Sequence, residues 1–488
     1  MSNMSKKSVK LNVIFNVIRT SCSVVFPLIT FPYISRVLQA DNYGKVNYAN
    51  SIVSYFALIA ALGISNYAIR EGASFRNDRA RYNQFANQVF TINLVTTVTA
   101  YILLGGTVFF VSGLHDYTTL IAIQSAAFLF TTLGVEWLYS TYEEYFYITV
   151  RSICVQVVSL IAMFLFVKTA DDYVIYAAIT VFSSAGAYIF NFVHSRKYVH
   201  LRIVKNTEWK THIKPMLIMF CNSLTITIYI NSDTTVLGAF MGDYAVGIYS
   251  VATRVYTIVK QLLNSITTVI LPRCSALVGA GKTEEYNKLF EKTIKSMLTL
   301  VLPAMVGLFM LSDEVILLIA GESYLPGSTA LRILSLALGC AVIAYTLVQL
   351  VLLVWKKDKQ YLRSTVVSAV ANLGLNFIAV PLWGWNGAAL TTLLAEAIVL
   401  CSAIWYSRGL VKVNALARTL ISCAFGCAGI VLVCAAGKMI DMYILRVIVS
   451  IIGSVAVYGI IMLLTKNEIA VYGLNMVKGM LGRKGKNE

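Results

Sequence analysis

The chain has 488 residues, of which 58% are apolar and only 13% charged, and it carries a formal net charge of +17 and a mean hydropathy of +0.72. Soluble domains carry about 25% charged residues, so this composition excludes an ordinary soluble enzyme, and equally a disordered or nucleic-acid-binding chain. Long apolar runs such as 301–311 and 342–355 are unlike the short alternating segments of an outer-membrane barrel.

A bilayer-spanning helix needs roughly 20 apolar residues, so at about 35 residues per helix and loop the length allows about fourteen spans. Hydropathy places them at 11–35, 46–69, 84–111, 117–139, 149–168, 173–194, 215–240, 247–272, 296–320, 329–355, 364–381, 386–407, 419–437 and 443–465. Lys6, Lys7 and Lys10 precede the first run. Arg19 interrupts it and no small-x-small site follows, so it reads as a span and not as a signal peptide.

The first span carries Asn12, Asn16, Arg19 and Ser23 on one helical face. Pro27 and Pro32 follow, each removing a backbone hydrogen bond, which predicts a bend or break. The second span carries Asn47, Asn50 and Ser54, and Glu136 lies near the end of the fourth. The seventh carries Asn222, Thr225, Tyr229 and Ser232, with Asp233 beside them. The eighth carries Ser250, Arg254, Thr257, Gln261 and Ser265. Lys260 shares that span but lies about 240° round the helix from Arg254. Glu396 falls in the twelfth span, and Arg332 and Arg446 lie near helix ends, where snorkelling is the default.

Lipid offers no hydrogen bonds, so these polar faces turn to protein or to a wet cavity. Ser, Thr and Asn alone would serve as glue between helices. The arginines demand more. Arg19 lies about 12 Å inside its span and Arg254 about 10 Å inside its own. A charge at bilayer depth costs at least about 2.5–3.5 kcal/mol. Asp233, at similar depth on the adjacent span, is an alternative partner for Arg254. A cationic cavity suits an anionic substrate, because guanidinium forks match phosphate bidentately. Asn, Gln, Ser and Tyr around it suit sugar hydroxyls. Glu136, Asp233 and Glu396 are the candidates for coupling to a Na⁺ or H⁺ gradient.

The four histidines (His115, His194, His200, His212) match no metal-ligand spacing. No Cys-x-x-Cys, phosphate loop or nucleophile elbow occurs. We therefore expect no catalytic residues, no metal and no bound cofactor. Lys and Arg crowd the side that holds both termini, while only Arg36, Lys45, Lys168 and Lys438 fall in the opposite loops. That asymmetry predicts cytoplasmic termini.

Tyr43, Tyr48 and Tyr55 recur as Tyr244, Tyr249 and Tyr256 at a constant offset of 201. Six helices separate the two sets, which implies a parallel repeat. The expected organisation is a six-helix bundle over 1–200, a second over 215–407, two further spans over 419–465 and a basic tail over 466–488.

Phe31-Pro32-Tyr33-Ile34-Ser35-Arg36-Val37-Leu38, Asn42-Tyr43-Gly44 and Ala49-Asn50-Ser51-Ile52 resemble the N-terminal signature of Wzx-type polysaccharide flippases. Gly63-Ile64, Ala68-Ile69-Arg70-Glu71, Glu136-Trp137-Leu138 and Tyr147-Ile148-Thr149-Val150-Arg151 continue it. The resemblance implies the multidrug/oligosaccharidyl-lipid/polysaccharide exporter superfamily, an all-α membrane fold of two six-helix bundles in a V. It also implies a bacterial inner-membrane flippase that moves undecaprenyl-pyrophosphate-linked oligosaccharide repeat units outward for O-antigen, capsule or exopolysaccharide synthesis. Membrane lipids and polysaccharide polymerase machinery are the implied partners, and nucleic acid is not one. The alternatives are a cation-coupled multidrug antiporter of the same superfamily and a lipid II flippase.

Overall fold

The computed structural model describes residues 9–413 and 416–471. The side chains of Asn12, Asn16, Arg19 and Asn222, and the tail from 472 to 488, lie outside the described residues. Among the described residues every regular element is a helix, as hydrocarbon requires of a backbone that must satisfy its own hydrogen bonds. Among the described residues eleven helices are long and apolar enough to cross a membrane. The chain divides into two compact units, Met1–Gly247 and Ile248–Glu488.

The first unit contains α1 (Val9–Ala61), α2 (Ile64–Phe75), α3 (Arg79–Phe110), α4 (Thr118–Gly134), α5 (Glu136–Thr141), α6 (Tyr145–Phe166), α7 (Tyr173–Val181) and α8 (Ala187–His194). It ends within α9 (Trp209–Gly279). Asp78 caps α3 by accepting from the amides of Ala80 and Arg81, both at 3.1 Å, which satisfies donors a helix start leaves open. A core of Tyr67, Tyr82, Phe85, Trp137, Tyr139 and Met216 joins α2, α3, α5 and the start of α9. Within it His212 bridges Tyr67 Oη at 2.7 Å and Gln88 Oε1 at 3.0 Å.

The sequence predicts a loop of about ten residues between Arg36 and Lys45, and the structure replaces it with one residue. Helix α1 runs through Pro27 and Pro32 with helical dihedrals and breaks instead at Gln39 (φ 59°, ψ 179°). The rings of Phe31 and Tyr43 then lie 6.0 Å apart, so the chain has folded back. The equivalent break in α9 is Gly242 (φ 79°, ψ −175°). These two residues are 203 positions apart, as are Gly44 and Gly247.

The latter pair form a reciprocal seat. A Cβ on Gly44 would overlap the carbonyl of Asp243, and one on Gly247 would overlap the carbonyl of Ala40. Ala40 and Asp243 are themselves 203 apart. The repeat register is therefore 203, and the tyrosine match at 201 is out of step by two. Tyrosine is abundant here, and the break and the close approach constrain other positions.

The conformation at Gln39 is one that only glycine adopts freely, at a cost of about 1–3 kcal/mol for other residues. Gln39→Gly is expected to stabilise the protein by about 1 kcal/mol, seen as a higher melting temperature in detergent. Gln39→Ala should give no gain.

The second unit continues α9 and adds α10 (Thr283–Met310), α11 (Ser312–Ile319), α12 (Ser328–Leu347), α13 (Asp358–Ser407), α14 (Leu416–Gly437) and α15 (Tyr443–Leu464). Helix α13 breaks at Gly384 (φ 56°) and folds back on itself. Ser368 Oγ donates across the hairpin to Ala395 O at 2.8 Å, and Thr391 shares a buried cluster with Asn372 and Asn376. The short α11 carries Asp313 and Glu314, which hold Arg332 and Arg446 respectively; the second pair spans 3.3 Å. Both arginines, read from sequence as snorkelling cations, are thus partnered within the protein. Lys295, buried on α10, holds Glu291 at 2.8 Å and Glu468 at 3.0 Å. Helix α15 is therefore tethered to the unit by an ion pair near its start and another just past its end.

Candidate functional site

In the first unit the second span also carries polar groups outside the stripe of Asn47, Asn50 and Ser54. Ser51 is buried and accepts from Thr235 Oγ1 at 3.0 Å, and Tyr55 Oη lies 3.2 Å from the same hydroxyl. Asn47 turns back to the carbonyl of Tyr43 at 2.7 Å. Asn50 is exposed, and Ser54 donates to its carbonyl. Tyr229 is partly buried and Asp233 is buried. Ser51 and Tyr55 thus act as helix glue, while the Asn50 side chain is exposed.

Glu136 sits at the start of α5, just after Val135, whose φ of 38° ends α4. Its carboxylate lies 3.5 Å from the guanidinium of buried Arg151 on α6. Arg151 also bonds the side-chain oxygen of Asn191, which donates to Gly134 O at 2.8 Å. The rings of Tyr147 and Tyr188 lie 5.6 and 5.4 Å from the guanidinium. A cation bound at Glu136 would share its carboxylate with Arg151. Just beyond the spans, Tyr198 Oη donates to Glu144 Oε1 at 2.7 Å. Burial first, then that carboxylate, push the Tyr198 hydroxyl well above its ordinary value.

In the second unit Arg254 and Thr257 are partly buried and Gln261 is exposed, all on one face of α9. Among the described residues Arg254 makes no ion pair. On another face, Lys260 Nζ lies 2.5 Å from Glu396 Oε1. Tyr256 Oη donates to the same carboxylate oxygen at 2.9 Å. Sequence reasoning separated Lys260 from Arg254 but found no partner for it. The partner lies on another helix, and helical spacing carries no signal for such a pair.

An apolar cavity of about 590 Å³ lies between α10, α14 and α15. Pro303, Gly307, Ile430, Ile451, Val455 and Tyr458 line it. Tyr458 Oη donates to Thr299 O at 2.8 Å, so that hydroxyl is already occupied. The second unit thus offers a partly buried cation on one helix and a hydrocarbon-lined space beside it.

Known families, proteins and structures resemble this chain. The profile of the polysaccharide biosynthesis protein family matches residues 9–278, and the MatE profile matches residues 215–378. A protein named as an O-antigen transporter in Escherichia coli (strain K12) is 22% identical over 412 residues, covering 83% of this chain and 98% of its own length. The capsular polysaccharide biosynthesis protein CapF of Staphylococcus aureus is 22% identical over 405 residues, covering 80% of this chain and 96% of its own. Among solved structures, the lipid II flippase MurJ in an inward closed conformation superposes with a TM-score of 0.75 at 16% identity, covering 92% of this chain and 99% of its own. An inward-facing multidrug resistance MATE family transporter of the MOP superfamily superposes at 0.61, with 13% identity, 80% of this chain and 97% of its own. These likenesses identify an all-α membrane transporter fold. The family profile covers more than half of the sequence, and the chain belongs to the polysaccharide biosynthesis protein family.

Proposed function

We propose that this protein flips undecaprenyl-pyrophosphate-linked oligosaccharide repeat units from the cytoplasmic to the outer leaflet of the bacterial plasma membrane, for surface polysaccharide synthesis. The observation that carries the reading is Arg254, a partly buried guanidinium in an apolar span that has no ion-pair partner among the described residues. Such a charge is too costly to retain without a ligand or water. A pyrophosphate satisfies it with paired, charge-assisted hydrogen bonds. Arg19 is the proposed second ligand. Asn12, Asn16, Asn47, Asn50, Asn222, Tyr229, Thr257 and Gln261 are proposed to meet the glycan. The cavity bordered by Pro303, Ile430 and Val455 suits a prenyl chain, which need never leave an apolar medium.

No bond is made or broken, so the residues act by binding and release, with alternating access as the mechanism. Cytoplasmic termini and polymerase partners belong to the same reading. So does coupling to Na⁺ or H⁺ through Asp233, Glu136 or Glu396, which flux with and without an imposed gradient would test.

The deciding experiment loads one leaflet of proteoliposomes with a pyrophosphate-linked oligosaccharide lipid and follows its exposure to an external glycan-cleaving enzyme. Arg19→Ala and Arg254→Ala are each expected to slow exposure by about 10- to 100-fold, since a hydrogen bond to a charged group contributes about 1.5–3 kcal/mol. Normal flipping in both variants would remove the cavity assignment. No exposure by the wild type, together with gradient-driven efflux of a cationic dye, would establish a drug antiporter instead.

A further inference from the structure

Lys260 and Glu396 form an ion pair whose two members are unequally open. The Lys260 side chain is 25% exposed and that of Glu396 7%. The carboxylate is closed in by Tyr256 Oη at 2.9 Å and by the ammonium at 2.5 Å. The ammonium has three donors. One reaches Glu396 and another Tyr256 Oη at 3.2 Å. The ligand-accessible member of the pair is thus the cation.

We infer that Lys260 is a further cationic ligand for the phosphate of the transported lipid, held ready by Glu396 and Tyr256. This rests on the flippase reading and names a residue which that reading leaves out. A lysine bare in an apolar span carries the full cost of an unpaired charge. A lysine that exchanges one anion for another is neutralised at every stage. An arriving phosphate takes the open side of the ammonium, and Glu396 recaptures it on departure.

That competition keeps phosphate binding weak enough to reverse, which a transporter needs. Arg254 has no such carboxylate among the described residues. Lys260 lies about 9 Å further along α9 than Arg254 and about 240° round it. The two cations are therefore separate stations and not one clamp. If the pair merely fastened α9 to α13, neutralising either member would loosen the fold and leave affinity in the folded protein alone.

The test uses the full chain in nanodiscs, with undecaprenyl pyrophosphate as the probe. Its Kd is measured beside the melting temperature. Lys260→Gln is expected to raise Kd about tenfold, the loss of one charged hydrogen bond. Glu396→Gln is expected to lower Kd several-fold, because it frees the lysine, and to slow release. The double variant K260Q/E396Q leaves no buried charge unpaired and should bind like Lys260→Gln. It serves as the measurement should either single variant fail to fold. Wild-type Kd in the folded Lys260 variants would overturn the inference, as would Kd changes in the same direction for both single substitutions. Absence of probe binding by the wild type would overturn the flippase reading and this inference together.

Discussion

Gly247→Ala is expected to destabilise the protein by about 3 kcal/mol, the upper end for overpacking. The added methyl meets a backbone carbonyl, that of Ala40, and not a side chain that could rotate away. Gly44→Ala should do the same against the carbonyl of Asp243. The two sites form one reciprocal seat, so their effects should not add. An alanine at either position pushes the same two backbones apart and makes room for the other. The double variant is therefore expected to melt only slightly below the worse single variant. Thermal unfolding of the purified proteins in one detergent reads all three. Full additivity would show that the two glycines act independently.

The second large effect is at Arg151. Arg151→Met is expected to cost about 3–5 kcal/mol, the range for removing one partner of a buried ion pair. It leaves Glu136 without its guanidinium and Asn191 without its charged donor, beside the break at Val135. Glu136→Gln should cost clearly less, because Glu136 is one-fifth exposed and Arg151 keeps Asn191 and two tyrosine rings. The double variant R151M/E136Q should recover much of the loss, since no unpaired charge then remains buried. Melting temperatures of the three variants measure this. Equal losses in the two single variants would mean that the pair does not govern this corner of the first unit.

The hydrophobic pattern made most of the fold legible, because each span is a run of apolar residues and the short links at Gly242 and Gly384 carry glycine. The break at Gln39 was not legible. The conformation is one that favours glycine, and the residue there is glutamine; only the packing around Gly44 and Gly247 marks the turn. The buried charges divide in the same way. Helical spacing placed Arg254, Thr257 and Gln261 on one face, and it separated Lys260 from them. It could not supply Glu396 for Lys260, Arg151 for Glu136 or Glu314 for Arg446. These partners are brought together by packing between helices distant in sequence. A charge read as snorkelling or ion-coupling from one helix alone proves to be half of a pair.

The breaks at Gln39, Gly242 and Gly384 each join two helices through a single non-helical residue. None has a loop to spare. An epitope or protease site spliced into any of them would have to unwind helix on both sides, and at the first two it would also pry open the glycine seat. A topology map built from insertions at these turns would report a failed protein as a missing face. The exposed stretch from Lys438 to Met442, where Met439 is 87% exposed, links α14 to α15 outside any helix. It is the place to carry a reporter.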